Sequence, residues 1–165
     1  MSSLEQKELN VHSIANGRPS WFSIEKAASR EITPLAQHFH FHPLDLDDVL
    51  SRIGRTEIDE YEDCPFIVLP FAAFDKENRI TKPSEVNLFV GENHVGIVHC
   101  SGDPKPLARF SQECEDEGVI RESYLGRSSV FLLCHILDRL VNSGFPALDE
   151  VTQNIGDAEG IILTR

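Results

Sequence analysis

The apolar residues of this chain keep two different periods, and the alternation between them is the tightest constraint on the fold. Leu46, Val49, Leu50 and Ile53 fall at i, i+3, i+4 and i+7, one stripe of a short helix that starts at Pro43 and stops at Gly54. Phe66–Phe74 (FIVLPFAAF) is then a run of aromatic and β-branched residues, as in a buried strand, with Pro70 marking an edge or a bulge. Val86–Val90 and His94–His99 read as two strands joined by Gly91-Glu92-Asn93, which has hairpin turn chemistry. The helical period returns in Pro104–Glu117, with Leu107, Phe110 and Cys114 on one face. It returns again in Leu125–Phe145, where Val130, Leu133, Cys134, Leu137, Leu140 and Val141 form a stripe widened by Phe131, Leu132 and Ile136. His135, Asp138, Arg139 and Asn142 are the polar strip left on that helix.

The remaining segments are less regular. Residues 1–20 are polar apart from a short strand expected at Val11–Ile14, and Trp21–Ile24 reads as extended. Thr33–Phe41 reads as a helix with Pro34 in its first turn, and Asp75–Ser84 as a polar loop. At 165 residues the chain is one domain by length. A chain of this size buries about 70% of its unfolded surface, so neither disulfides nor metal are needed to fold it. The formal net charge of −12 disfavours nucleic acid and anionic membrane surfaces and favours cations. Cys64, Cys100, Cys114 and Cys134 lack CxxC or zinc-ribbon spacing and read as reduced, mostly buried thiols. The first ten residues lack the apolar core of a signal peptide, and the longest apolar run falls far short of the ~20 residues of a spanning helix.

The final segment has its own pattern. Leu148, Val151, Ile155, Ala158 and Ile162 alternate spacings of three and four, a two-position heptad seam suited to a packed stalk. It runs to the chain end without a stop signal, which leads us to expect a longer protein. A short terminal helix docked on the domain is the competing reading, supported by Gly156 and Gly160.

Catalytic motifs are absent: there is no GxGxxG, no P-loop, no GxSxG and no HExxH, so a non-enzyme is expected. His38, His40 and His42 alternate in a way that invites a zinc reading, but lack a fourth ligand and read better as surface or helix-end histidines. Asp45, Asp47 and Asp48 follow Pro43 directly. Acids in a first turn complement the helix dipole, and Asp48 can pair with Arg52; equally, carboxylates are the ligands of hard cations. On spacing alone the first account weighs more, because these acids sit too close along the helix to complete a cation site. Asp138, on the polar strip, is the acid available from elsewhere.

Four segments, in order, resemble the CorA family of divalent-cation channels. Phe41-His42-Pro43-Leu44-Asp45-Leu46-Asp47-Asp48-Val49-Leu50 is similar to its "hP(L)xLED(I/V)L" segment. Arg55, Glu57-Ile58-Asp59-Glu60-Tyr61-Glu62-Asp63 and Phe66-Ile67-Val68-Leu69 follow at the family's distance. Val86–Val90, Gly91, Asn93 and Val95–His99 resemble its hairpin, and Ile136-Leu137-Asp138-Arg139-Leu140-Val141 with Phe145-Pro146, Leu148-Asp149-Glu150 and Glu159 its helical "llDxlvdxyfpxldel" run. The resemblance spans about residues 20–163. Thr56-Glu57 stands where Pro-Lys is usual, Asp47 where Glu is usual, and Asn142-Ser143-Gly144 in place of an acidic and aromatic stretch. The pore's Gly-Met-Asn is missing, since Met1 is the only methionine.

The resemblance implies the cytoplasmic domain of a magnesium/cobalt channel, as an α/β/α sandwich with a central mixed sheet flanked by helices and ending in the start of a long stalk helix. It divides the chain into a flexible N-terminus (1–20), the domain (21–146) and a truncated stalk helix (147–165). It implies Asp47, Asp48 and Asp138 as regulatory metal ligands, with a further carboxylate from a neighbour's stalk beyond Arg165. It also implies a pentamer at the cytoplasmic face of the membrane in the full-length protein, and weak Mg2+ or Co2+ binding with no covalent cofactor here. A related zinc transporter and a stand-alone binding module are the alternatives.

Overall fold

The computed structural model describes residues 11–15, 19–25, 33, 41–51, 55–61, 64–75, 80–99 and 105–163. Its strands are β1 (Val11–Ala15), β2 (Ser20–Glu25), β3 (Glu57–Asp59), β4 (Phe66–Asp75), β5 (Ile80–Gly91) and β6 (His94–His99). Among the described residues the helices are α1 (Pro43–Ser51), α2 (Lys105–Asp116), α3 (Gly118–Leu125) and α4 (Ser129–Leu163). The strands form one mixed sheet in the order β1-β2-β6-β5-β4-β3, with β2 and β6 parallel and the other pairs antiparallel. Val11–Ala15 is thus an edge strand, so the sheet begins ahead of the boundary expected at residue 21.

Side-chain alternation sorts the apolar residues into two cores. Trp21, Val86, Leu88, Val90, Val95 and Ile97 face Leu107, Phe110, Cys114, Leu125, Leu132, Ile136 and Leu140 of α2, α3 and α4. Phe22, Ile24, Phe66, Val68, Phe89 and Val98 face Phe41 and Val49, on and before α1. Both faces are therefore covered, which is why β5 is buried continuously from Ser84 to Gly91. The expected α/β/α sandwich is the architecture observed.

On the α1 side, register places Phe66, Phe89, Gly96 and Phe22 in one row across four strands. Gly96 is where the row must have no side chain, because a Cβ there would lie 2.1 Å from Phe22 Cζ. Phe41 closes over the row, its ring 4.0 Å from that of Phe89.

Several expectations need correction. Within the loop expected over Asp75–Ser84, Asp75 and Ile80–Ser84 are strand, because β4 and β5 pair from Phe66↔Phe89 out to Asp75↔Ile80; residues 76–79 lie outside the described residues. Pro70 lies past the end of β3, and Pro83 past the end of β6, so each missing N–H falls where only one neighbouring strand is present. Leu125–Phe145 is not one helix either. Leu125 ends α3, and Ser128 starts the next helix by accepting the Phe131 N–H on Oγ at 3.2 Å, an N-cap bond. The buried stripe of α4 is Leu132, Ile136 and Leu140, with Leu133 and Leu137 half-buried; Val130 and Val141 are each 60% exposed. The apolar arc is wider than the sheet can cover, and packing chose its other half. The helix expected over Thr33–Phe41 lies mostly outside the described residues, and Phe41 itself is not helical.

The end of α4 is also informative. The helix runs unbroken through Pro146 to Leu163. Pro146 removes one backbone donor, and the exposure of Asn142 lets water serve the orphaned carbonyl. Leu148, Val151 and Ile155 are 62%, 48% and 55% exposed, so this stretch is not docked on the domain.

Candidate metal centre

Phe41 anchors the chain in the second core immediately ahead of α1. His42 then caps the helix, its Nδ1 accepting the Leu44 N–H at 3.3 Å, and Pro43 occupies the first helical position. From that start the helical period fixes the acids. Asp45 and Asp48, at i and i+3, share one face; Asp47 points elsewhere and is exposed.

Asp45 is 1% exposed, and Tyr61 donates its hydroxyl to Asp45 Oδ1 at 2.8 Å. The His42 ring stacks on Tyr61 with centroids 4.9 Å apart. Burial raises the Asp45 carboxyl above the ordinary carboxylate range, and the negative charges of Asp59 and Asp48 act in the same direction. The Tyr61 bond and the charge of His42 oppose it. The same hydrogen bond, followed by burial, pushes the Tyr61 phenol up to about 12.

β3 brings in the third acid. Asp45, Asp48 and Asp59 each offer a carboxylate oxygen, and these three oxygens lie within 4.8 Å of one another. Magnesium at about 2.0–2.1 Å from its ligands separates opposite ones by about 4.2 Å, and calcium at about 2.3–2.6 Å by about 5 Å. A separation of up to 4.8 Å lies inside the span of a calcium-sized ion and slightly beyond that of magnesium, which would draw the three oxygens together. Among the described residues this is the one such group of three.

The structure thus places Asp48 in the cluster and Asp47 on the exposed side of the same helix. Asp138 is exposed on α4, which packs on the opposite face of the sheet, so a single chain does not bring it to α1. The acidic cluster read from the sequence includes Asp45 with Asp47 and Asp48, but the ligand set that the resemblance implies leaves Asp45 out, and Asp59 is not singled out as a partner of Asp48. The i, i+3 spacing of Asp45 and Asp48 was a readable signal, whereas the approach of Asp59 depends on β3 pairing with β4. His38 and His40 lie outside the described residues.

A mixed sheet lies between helical layers, with the carboxylates of Asp45, Asp48 and Asp59 clustered beside one of its faces. The chain belongs to the family of CorA-like Mg2+ transporter proteins, which matches residues 16–164. The cobalt/magnesium transport protein CorA of Thermotoga maritima is 26% identical over 167 residues, covering 98% of this chain and 46% of its own length. YfjQ of Bacillus subtilis is 27% identical over 139 residues, covering 84% of this chain and 41% of its own length. The chain spans less than half the length of these two curated relatives. Its fold is that of the soluble domain of CorA from Methanocaldococcus jannaschii, with TM-score 0.70 and 19% identity over 89% of this chain and 56% of that one. The cytoplasmic domain of ZntB from Vibrio parahaemolyticus shares the fold at TM-score 0.64 and 13% identity, over 87% of this chain and 56% of that one. Among the described residues no helix is long and apolar enough to cross a membrane.

Proposed function

We propose that this chain is the metal-sensing regulatory domain of a CorA-type magnesium/cobalt channel, working at the cytoplasmic face of the membrane. The observation that supports it is the convergence of carboxylates on Asp48, beside the exposed Asp47, within a chain of this family. Asp48, with Asp45 and Asp59 beside it, holds a divalent ion, the exposed Asp47 on the same helix adds its negative charge, and Asp138 contributes from a neighbouring copy, since the sheet separates it from α1 within one chain. The mechanism is linkage: an ion that binds the closed assembly better than the open one shifts the population toward closed. The protein's net charge of −12 gives any bound cation the further effect of relieving carboxylate repulsion.

Magnesium leans on only one or two carboxylates and keeps several waters, so a site shared between copies is weak in one copy. Calorimetry on the 165-residue chain is expected to give a magnesium dissociation constant no tighter than about 10⁻⁴–10⁻³ M. Asp47→Ala and Asp48→Ala should each weaken it; tight binding that survives both substitutions places the site elsewhere. The fold shared with the ZntB domain favours zinc as the second reading, with His42 as its test. If zinc binds more tightly than magnesium and His42→Ala abolishes that binding, the zinc reading replaces the magnesium one.

The proposed assembly is a pentamer of the full-length protein, held by stalk helices. The exposed seam residues Leu148, Val151 and Ile155, with the exposed Val141 ahead of them, are the surface such an assembly covers. They lie along one narrow helix face, small beside the roughly 1,200–2,000 Å² of a stable interface. Sedimentation of the 165-residue chain should therefore show a monomer or a weak, concentration-dependent oligomer. A robust pentamer at micromolar concentration contradicts this.

A further inference from the structure

Asp45, Asp48 and Asp59 come from two elements, the first two from α1 and the third from the end of β3. Three negative charges whose oxygens lie within 4.8 Å of one another repel, so the two elements need a tie that opposes the repulsion. Tyr61 stands two residues beyond Asp59, the interval at which an extended chain returns a side chain to the same face. Its hydroxyl donates to Asp45 Oδ1 at 2.8 Å, which joins the segment carrying Asp59 to the helix carrying the other two acids. The phenol ring is itself fixed. It packs against the core under α1, and the His42 ring lies on it with centroids 4.9 Å apart and an interplanar angle of 13°. His42 is held in turn by the Leu44 N–H on its Nδ1.

A carboxylate whose Oδ1 is held by a fixed O–H donor does not turn freely, so its remaining lone pairs keep one direction. Asp45 is buried, which leaves little water to stand in for the phenol. Hydrogen bonds of this kind orient ligating carboxylates, and losing such a partner costs about 10–100-fold in metal affinity. We propose that Tyr61 is a positioning residue of the cation site: it clamps the β3 segment to α1 through Asp45 and fixes the direction from which Asp45 meets the ion. This rests on the cation reading given above, and it adds a residue that is not itself a ligand. A cation on Asp45 draws negative charge from the oxygens to which the phenol donates, and a hydrogen bond to a less charged acceptor is weaker. Cation loading and the state of the phenol are therefore coupled.

The chain has two tyrosines, and the other, Tyr124, packs with Phe110 on the far side of the sheet. Magnesium chloride is titrated into the 165-residue chain and followed by calorimetry and by near-ultraviolet difference absorption. Saturation should move a tyrosine band to shorter wavelength, as for a phenol whose acceptor loses charge. Tyr124→Phe should keep that movement and Tyr61→Phe should lose it. Tyr61→Phe retains the ring, its packing and the His42 stack, and should weaken magnesium binding about tenfold. In an Asp45→Ala background the same substitution should change affinity by less than about twofold, because the phenol acts through Asp45. The band movement is read with Tyr61 in place, so it tests the clamp even if Tyr61→Phe does not fold. If the unaltered chain does not bind magnesium, or Asp48→Ala binds it equally well, the cation site falls and the clamp falls with it. If Asp48→Ala weakens binding but the band stays in place, or folded Tyr61→Phe binds as tightly as the unaltered chain, or its cost persists in Asp45→Ala, the site stands and the clamp alone is overturned.

Discussion

Phe89→Ala is expected to destabilise the chain by about 3–5 kcal/mol, a large part of the roughly 5–15 kcal/mol that holds a domain together. Phe89 is 1% exposed and central to its strand row. Its ring lies 4.0 Å from Phe41 and 4.8 Å from Phe66 by centroid, so truncation removes two aromatic contacts as well as buried area. The neighbour across the ladder is Gly96, which has no side chain to fill the gap. The consequence reaches the carboxylates. Phe41 is the last core residue before the His42 cap, and with its nearest stacking partner gone and only the more distant Phe22 and His94 rings left, the anchor of α1 is weakened. Urea denaturation measures the first effect, and protease cleavage ahead of α1 the second. A loss below about 1.5 kcal/mol, the range of volume-conserving swaps, would show that the row repacks. Phe89→Leu should stay near that lower figure.

Asp45→Asn should act in the opposite direction. The folded-state pKa of Asp45 is raised above its ordinary 3.8, chiefly by burial. Below that ordinary value the group is protonated in both folded and unfolded chains and costs nothing. As pH rises from there through the raised folded value, the unfolded chain ionises first and stability is lost; above the folded value the loss is complete. The amide has no charge to desolvate and keeps an oxygen for the Tyr61 hydroxyl, though the bond to a neutral acceptor is weaker. Asp45→Asn is therefore expected to raise Tm at pH 7 by about 2–4 °C, the response of a domain this size to about 1 kcal/mol. The gain should vanish below pH 3.8. Millimolar magnesium should narrow the difference, because a cation on Asp48 and Asp59 offsets the charge of ionised Asp45. A gain that persists unchanged into acid would mean that charge burial is not its cause.

The carboxylate cluster shows where reading residues in order stops being sufficient. The stripe Leu46, Val49, Leu50 places a helix after Pro43, and a helix beginning there puts Asp45 and Asp48 on one face by its period alone. It does not say which acid is buried. That depends on Tyr61, sixteen residues on, whose hydroxyl reaches Asp45. Asp59 joins because Asp59 pairs with Phe66 in the sheet, a contact with no local signature. Asp138 was legible as an acid on a polar strip, but its place across the sheet from α1 was not.

What the residue order determined by itself is whatever a local period or a local backbone rule carries. It set the strand runs at Phe66 and His94, the turn at Gly91-Glu92-Asn93, the α2 face of Leu107, Phe110 and Cys114, and the acids at the start of α1. Tertiary structure alone decided which of two adjacent apolar arcs on α4 meets the sheet. It also decided how far β4 and β5 extend past their prolines, and which carboxylates converge. The physical reason is the same each time. Helix and strand periods are properties of neighbours a few residues apart, whereas burial, orphaned donors and charge proximity are set by which distant element packs alongside. Leu132 and Val141 differ little as sequence; one is sealed against the sheet and the other faces outward because one sheet cannot cover both.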